Sequence, residues 1–299
     1  MITTSTAMSP RAARQASAAS SPPGVAANIT WIAARELRDA IRSRWFLLYT
    51  IAFAALGLGI SAVSAAGAGG LGLSGFGRTT AGLINLVVLV VPLMALTAGA
   101  GSIASDRERG MLQYVLAQPV LRIELLMGKY LGLAGSLLAS LCLGLGACAL
   151  ILAWQGQATR PASIIWLTGL AFSLALAMLS LGFLLSVVAR RASVAVGTAI
   201  FLWLTLVFVT DLGLMAGAMA LRLRIEELLA LSLINPLQVF KMWSLHAGDA
   251  TLDVLGPAGL YATEEFGSRL HLIFGGCMAA WIIAPLGAAA LIFSRRSPL

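Results

Sequence analysis

The chain has 299 residues, 59% of them hydrophobic and only 11% charged, with a formal net charge of +8 and a mean hydropathy of +0.92. A soluble domain carries about a quarter charged residues, so this composition excludes a soluble globular protein and defines an integral membrane chain. In such a chain the basic excess marks cytosolic loops and headgroup contacts rather than nucleic acid, and no basic run with interleaved aromatics argues otherwise.

Residues 1–28 are mostly Ala, Ser, Thr and Pro with two arginines and no apolar core. This is not a secretory signal, which needs an apolar h-region, and it reads as a disordered cytosolic tail. Beyond it, Trp31, Ala34, Leu37, Ala40 and Ile41 fall on one helix face, and Arg35, Arg38, Asp39 and Arg42 on the others. That pattern fits an interfacial helix on the inner leaflet or, alternatively, a cytosolic extension of the first span.

Crossing the hydrocarbon takes about 20 apolar residues in a helix, and six stretches qualify. They run roughly over 45–66, 81–103, 125–153, 164–189, 193–220 and 272–293. The Gly-rich stretch 67–80 reads as a flexible turn. No Gly-Lys-Ser/Thr follows it, so it is no phosphate loop. With the N-terminus inside, fourteen basic residues fall on the inner side and six on the outer, which together are all twenty. The asymmetry predicts both termini in the cytosol.

Between the second and third spans lies the dense run Ser105-Asp106-Arg107-Glu108-Arg109-Gly110-Met111-Leu112, continuing through Pro119 and Arg122 to Gly128-Lys129. It reads either as an ordinary solvated loop or as more. Leu112, Val115, Leu116 and Pro119 recur at helical spacing, which predicts a short amphipathic helix at the membrane surface, suited to docking a soluble partner. Lys129, near the inner start of the third span, is placed to snorkel to the headgroups.

Asp211 sits eighteen residues past Ser193, about 27 Å along a helix. It reads first as an acid at the outer water boundary and otherwise as an intramembrane functional carboxylate. Met215 with Met219, and Met242 with His246, are spaced four apart on helix faces. Thioether and imidazole suit Cu(I), but methionine at this spacing reads first as packing. The outer segment 222–271 carries an amphipathic helix up to Ile234, broken at Asn235-Pro236 because a residue before proline disfavours the helical region. Leu237, Phe240, Trp243 and Leu245 then resume a helix-like stripe, and 249–267 reads as turns with a short helix. These helices are expected outside the hydrocarbon. Phe240 and Trp243 are expected to seal an outer gate or anchor a partner, with Glu264 and Glu265 on a polar rim facing that partner. The three cysteines, Cys142, Cys148 and Cys277, all lie in apolar runs, which argues against a disulfide framework or a cysteine metal site. There is no Walker A sequence, no HExxH and no GxSxG, so no site for ATP or for hydrolysis is visible in this chain.

The run 106–129 resembles the signature of ABC-2 type transporter permeases. The matching residues are Asp106, Glu108, Gly110, Leu112, Pro119, Arg122, Gly128 and Lys129. Met111 stands where a threonine is usual, and Asp106 where a glutamate is more usual. The resemblance covers about residues 29–299. It implies an all-α integral membrane fold of six transmembrane helices in the bacterial inner membrane. An N-terminal interfacial helix, a cytosolic coupling helix and short periplasmic helices between spans five and six belong to that fold. It implies a subunit that pairs with a second copy of itself and seats its coupling helix, with Asp106, Glu108, Gly110, Leu112, Pro119 and Arg122, on a separate cytosolic ATPase. That ATPase, not this chain, would bind ATP and Mg. The element Asn235-Pro236-x-x-x-Phe240 is similar to members of the family that work with a periplasmic partner in assembling the copper site of nitrous oxide reductase. The alternative within the family is a conventional exporter of a lipid-like or apolar solute. A membrane enzyme is the alternative from another class, disfavoured by the lack of clustered acids or histidines in the spans.

Overall fold

The computed structural model describes residues 24–67, 75–112, 120–154, 161–208, 224–247 and 267–295. Among these residues there is no strand. The helices are α1 (Val25–Arg42), α2 (Arg44–Gly67), α3 (Gly75–Glu108), α4 (Arg122–Trp154), α5 (Pro161–Val188), α6 (Ala192–Phe208), α7 (Ile225–Ile234), α8 (Pro236–Ala247) and α9 (Leu270–Arg295).

Four helices are each long and apolar enough to cross a membrane: α3 over Ala81–Glu108, α4 over Arg122–Leu150, α5 over Ala162–Val188, and α9. Helix α1 and the Phe46–Gly59 part of α2, bent by 61°, pass the same test as a pair. Ser43 makes that bend. It is extended (φ −69, ψ 141), and its hydroxyl accepts the Phe46 N–H at 3.1 Å, which caps the start of α2. Helix α6 is apolar but has 17 residues. The second half of the expected 193–220 span, with Asp211, Met215 and Met219, lies outside the described residues. The chain is therefore an all-helical membrane protein with four to five apolar spans.

Two expected boundaries move. Helix α1 starts at Val25, inside the expected tail, because Gly24 already forms its extended N-cap. Helix α3 starts at Gly75, so 75–80 are helical rather than part of a turn. Lacking water, a chain entering a membrane satisfies its backbone by continuing the helix, and that outweighs the glycine preference for turns.

Helix α5 sits at the centre, touching α3, α4, α6, α8 and α9. Its apolar residues surround the whole helix, as a buried span requires, and Ala171, Leu174, Ala175, Met178, Leu179 and Phe183 are fully buried. It crosses α3 at two glycines. A Cβ at Gly99 would lie 2.8 Å from the Leu179 carbonyl oxygen and 3.0 Å from Gly182 Cα, and one at Gly182 would lie 2.7 Å from the Leu96 carbonyl oxygen. Small residues let helix backbones close up where lipid supplies no hydrophobic drive. One turn below, the Ser186 hydroxyl accepts the Ile103 and Ala104 N–H groups at 3.0 and 2.8 Å. Tyr130 of α4 joins the same core through the Leu176 carbonyl and the Ser180 hydroxyl. Helix α2 packs on α4, with Thr50 and Ser140 hydroxyls 2.8 Å apart. The outside is apolar, with Leu131, Ile165, Trp166, Leu272 and Ile283 exposed, the surface expected of a chain solvated by lipid rather than water.

Candidate coupling site and outer helices

The charged run sits at the end of the molecule where α3 stops and α4 starts. Gly110 has φ +73, and the chain leaves α3 through it with the Gly110 N–H on the Arg107 carbonyl at 3.2 Å. This is the left-handed glycine that ends many helices. Residues 113–119, which include Pro119 and most of the expected amphipathic helix, lie outside the described residues. Leu112 is buried, whereas Arg109, Gly110 and Met111 are exposed.

The charged residues on either side tie this junction to four other helices. Asp106 Oδ2 is 2.9 Å from Lys129 Nζ, and Lys129 also donates to both Glu36 oxygens at 3.2 Å. One buried ammonium thus joins α3, α4 and α1. Arg107 donates to the Ala189 carbonyl at 2.6 Å and the Val187 carbonyl at 3.4 Å, where a cation is favoured at the C-terminus of α5. Glu108 Oε2 accepts the Ala192 N–H at 3.2 Å, so a carboxylate meets the N-terminus of α6. Arg122 donates to the Phe293 and Ser294 carbonyls at 3.4 and 3.3 Å, closing the C-terminal end of α9. Glu124 is buried, and its carboxylate accepts the Leu121 N–H at 3.2 Å, the backward half of a capping box. It also accepts Asn28 Nδ2 of α1 at 3.0 Å.

Helix α1 reaches this cluster because α4 presents glycines to it. A Cβ at Gly128 would lie 2.7 Å from Ile32 Cβ, and one at Gly132 would lie 2.7 Å from the Ala33 carbonyl oxygen. The close approach brings Glu36 to Lys129, so the expected snorkelling of Lys129 is corrected. Its side chain is 9% exposed between two carboxylates, and a buried ammonium held by two acids has no reason to seek headgroups. The expected apolar face of α1 is corrected as well. Ala27, Asn28, Ile29, Ile32, Ala33, Glu36, Leu37 and Ala40 are the half-buried residues, while Trp31, Ala34 and Ile41 lie on the exposed side with the arginines. The sequence reading missed Glu36, Glu124 and Asn28, and named Arg107 only as part of the charged run. The Gly128-x-x-x-Gly132 spacing was the available sign of a close helix partner.

At the other end, Asn235 separates α7 from α8 as expected. Its Oδ1 accepts the Leu237 N–H at 3.0 Å, and its Nδ2 donates to the Leu206 carbonyl at 2.8 Å. One side chain therefore caps α8 and fastens it to the end of α6. Pro236 and Phe240 are buried, with α8 lying against α3, α5 and α9. Of the two roles expected for Phe240, sealing an outer gate or anchoring a partner, its position does not suit the second. Phe240 is fully buried, because the apolar stripe of α8 finds the helix bundle of its own chain. Trp243 is half-buried, and its Nε1 donates to His271 Nδ1 of α9 at 3.1 Å. Glu264 and Glu265 lie outside the described residues.

His246 and His271, the chain's two histidines, meet with ring centroids 4.7 Å apart. Burial, and then the neighbouring His271, hold the His246 imidazole below its ordinary pKa. The folded state therefore binds this proton less readily than the unfolded chain, and stability rises with pH wherever the unfolded state holds more protons. Stability from this group should be complete above the ordinary histidine range and fall as pH drops through and below about 6.5. Thermal melts of the purified chain between pH 8 and 5 should show this loss, and His246→Gln should flatten it. An unchanged slope in that variant would assign the pH response elsewhere. Among the described residues, no group of three or more His, Cys, Asp or Glu could hold a metal ion.

A lipid-facing helix bundle, with charged side chains tying one inter-helix junction to the rest, is the architecture of a multi-pass membrane protein. The ABC-2 family transporter protein model matches residues 30–297, and the chain belongs to that family. It is thus a multi-pass membrane protein of the ABC permease type. Two curated relatives are both described as probable ABC transporter permease protein NosY. That of Stutzerimonas stutzeri is 30% identical over 276 residues, covering 90% of this chain and 99% of the relative. That of Pseudomonas aeruginosa is 32% identical over 275 residues, covering 90% and 98%.

Proposed function

We propose that two copies of this chain form the membrane part of a transporter in the bacterial inner membrane, each with six spans and both termini cytosolic. A separate NosF-like ATPase, which binds ATP and Mg, docks on the junction between α3 and α4. Its cycle moves the outer face of the permease, and a NosD-like periplasmic partner uses that motion in copper-site assembly of nitrous oxide reductase. The reading is carried by one observation. The junction is fastened by side chains to α1, α5, α6 and α9, while Arg109, Gly110 and Met111 within it are exposed. A push on these residues is passed to the bundle through those contacts. The likeness to NosY permeases over nearly their whole length supports the narrower role.

The internal duties of Asp106 and Glu108 make them poor probes of docking, because reversing their charge would also break contacts within the chain. Met111 is 41% exposed and is the better probe. Leaving a charge buried and unpaired in an interface typically costs about 2–5 kcal/mol, thirtyfold or more. Met111→Asp should therefore strip the ATPase from the purified complex while the permease itself melts normally. Full retention of the ATPase with normal ATP turnover would remove the docking claim. A strain lacking the chain should make nitrous oxide reductase without its copper centre, and a fully copper-loaded enzyme would leave only the exporter reading.

A further inference from the structure

The end of the bundle opposite the coupling junction holds both histidines of the chain, and one tryptophan ties them together. Trp243 of α8 lies across the first turns of α9. Its Nε1–H donates to His271 Nδ1 at 3.1 Å, and a Cβ at Gly275 would lie 3.5 Å from its Cη2. His271 and Gly275 are four apart and share one face of α9, which the indole occupies. His246, on the next turn of α8, puts its ring 4.7 Å from that of His271, tilted by 47°. Leu237, Phe240 and Met242 are buried, so packing holds the first turns of α8. Past Ser244 its residues are only half-buried.

An imidazole nitrogen accepts a hydrogen bond only while it carries no proton. With Nδ1 as the acceptor, neutral His271 keeps its proton on Nε2. A second proton has only Nδ1 to go to, and there it opposes the indole N–H, which is a donor only. It also sets a cation beside His246, whose imidazole burial already makes harder to charge. The charged neighbours do not offset this. Lys241 of α8 and Arg269, in the turn that leads into α9, are both cations. Helix α5 has no titratable residue, and Cys277 lies almost two turns further along α9. The acids of α3 and α4 are at the coupling end, and Arg78 near the start of α3 is another cation. Glu226 and Glu227 are exposed in the first turn of α7. Among the described residues, neither histidine has an ion pair. We propose that Trp243, His246 and His271 form an acid-released latch between α8 and α9. It is closed while both imidazoles are neutral. It opens when His271 takes its second ring proton, which frees the last turn of α8. On the topology proposed above, this end meets the medium outside the cytosol, so the latch senses outside acidity. It needs no part of the ATPase reading, and its failure leaves docking at the junction untouched.

The emission of Trp243 reads the latch. The chain has seven tryptophans, so the signal is the difference between the wild type and Trp243→Phe, each full-length in nanodiscs. The emission maximum is followed rather than the intensity, because an imidazolium dims a nearby indole without exposing it to water. Between about pH 8 and about pH 5, where histidine changes charge, the maximum should move to the red as the indole meets water. His271→Gln keeps an acceptor for the indole N–H and cannot titrate, so its maximum should stay blue at both pH values. Hydrogen exchange over residues 243–247, corrected for the pH dependence of unprotected amides, gives an independent reading. Losing the bond should speed it about fivefold at the acid end in the wild type and leave it unchanged in His271→Gln. A wild-type maximum or exchange rate that is the same at both pH values would overturn the proposal. So would an equal red shift in His271→Gln, which would place the acid response elsewhere.

Discussion

Lys129→Met should lower the melting temperature of the purified permease by several degrees, and adding Glu36→Gln and Asp106→Asn should restore most of the loss. The lysine is 9% exposed and its two carboxylates 23% and 24%. Removing one member of a buried charge cluster leaves uncompensated charge, which costs about 3–5 kcal/mol when burial is complete. Water still reaches the two carboxylates here, so about 2–3 kcal/mol is the better expectation. Neutralising all three groups removes the desolvation cost together with the attraction, which is why the triple variant recovers. The pattern separates a charge effect from a packing effect, since a lost lysine stem would not be repaired by Glu36→Gln and Asp106→Asn. A Lys129→Met protein that melts with the wild type would show that the cluster carries no stability.

Gly99→Val should cost more still. The atoms that a side chain would meet at Gly99 are backbone, the Leu179 carbonyl at 2.8 Å and Gly182 Cα at 3.0 Å, and backbone cannot rotate away. Overpacking a core typically costs 1–3 kcal/mol. Here α3 and α5 must separate, which also stretches the bonds from Ile103 and Ala104 to Ser186, so the cost should exceed about 3 kcal/mol. Gly101→Val is the matched control on the same helix, because nothing lies within 4 Å of a Cβ there. Size-exclusion profiles of the two variants from membranes should show little folded Gly99→Val and near-normal Gly101→Val. Equal yields would mean that the crossing tolerates separation.

The positions of α4, α5 and α9 could be read from the sequence to within a few residues, because about 20 apolar residues in a row can do little else. The break at Asn235-Pro236 was also legible, since proline restricts its neighbour wherever it stands. What α8 touches was not. An amphipathic stripe says that a helix has an apolar partner, but not whether that partner is another protein or its own bundle, and Phe240 is buried in the bundle. Helix α1 misled for a related reason. It carries two apolar strips, and periodicity grouped the exposed Trp31, Ala34 and Ile41 with Leu37 and Ala40, while the glycines of α4 receive Ile29, Ile32, Ala33 and Leu37. The charged run was visible as a candidate site, but the partners of its residues were not. Lys129 meets Glu36 across 93 positions, and Arg122 meets Phe293 across 171. Charge alone does not distinguish an internal clamp from a docking surface, and the structure assigns Asp106, Glu108 and Arg122 internal contacts while Met111 remains on the outside.

The central claim is that ATP binding by the ATPase docked on the junction moves the outer helices. Ile234 at the end of α7 is 66% exposed. It can carry a spin label once Cys142, Cys148 and Cys277 are replaced by alanine. In the complex with its ATPase, in nanodiscs, the distance between the labels on the two copies should shift when a non-hydrolysable ATP analogue binds. Met111→Asp should abolish that shift. A label distance that stays the same while the complex hydrolyses ATP, or that shifts equally in Met111→Asp, would contradict the account.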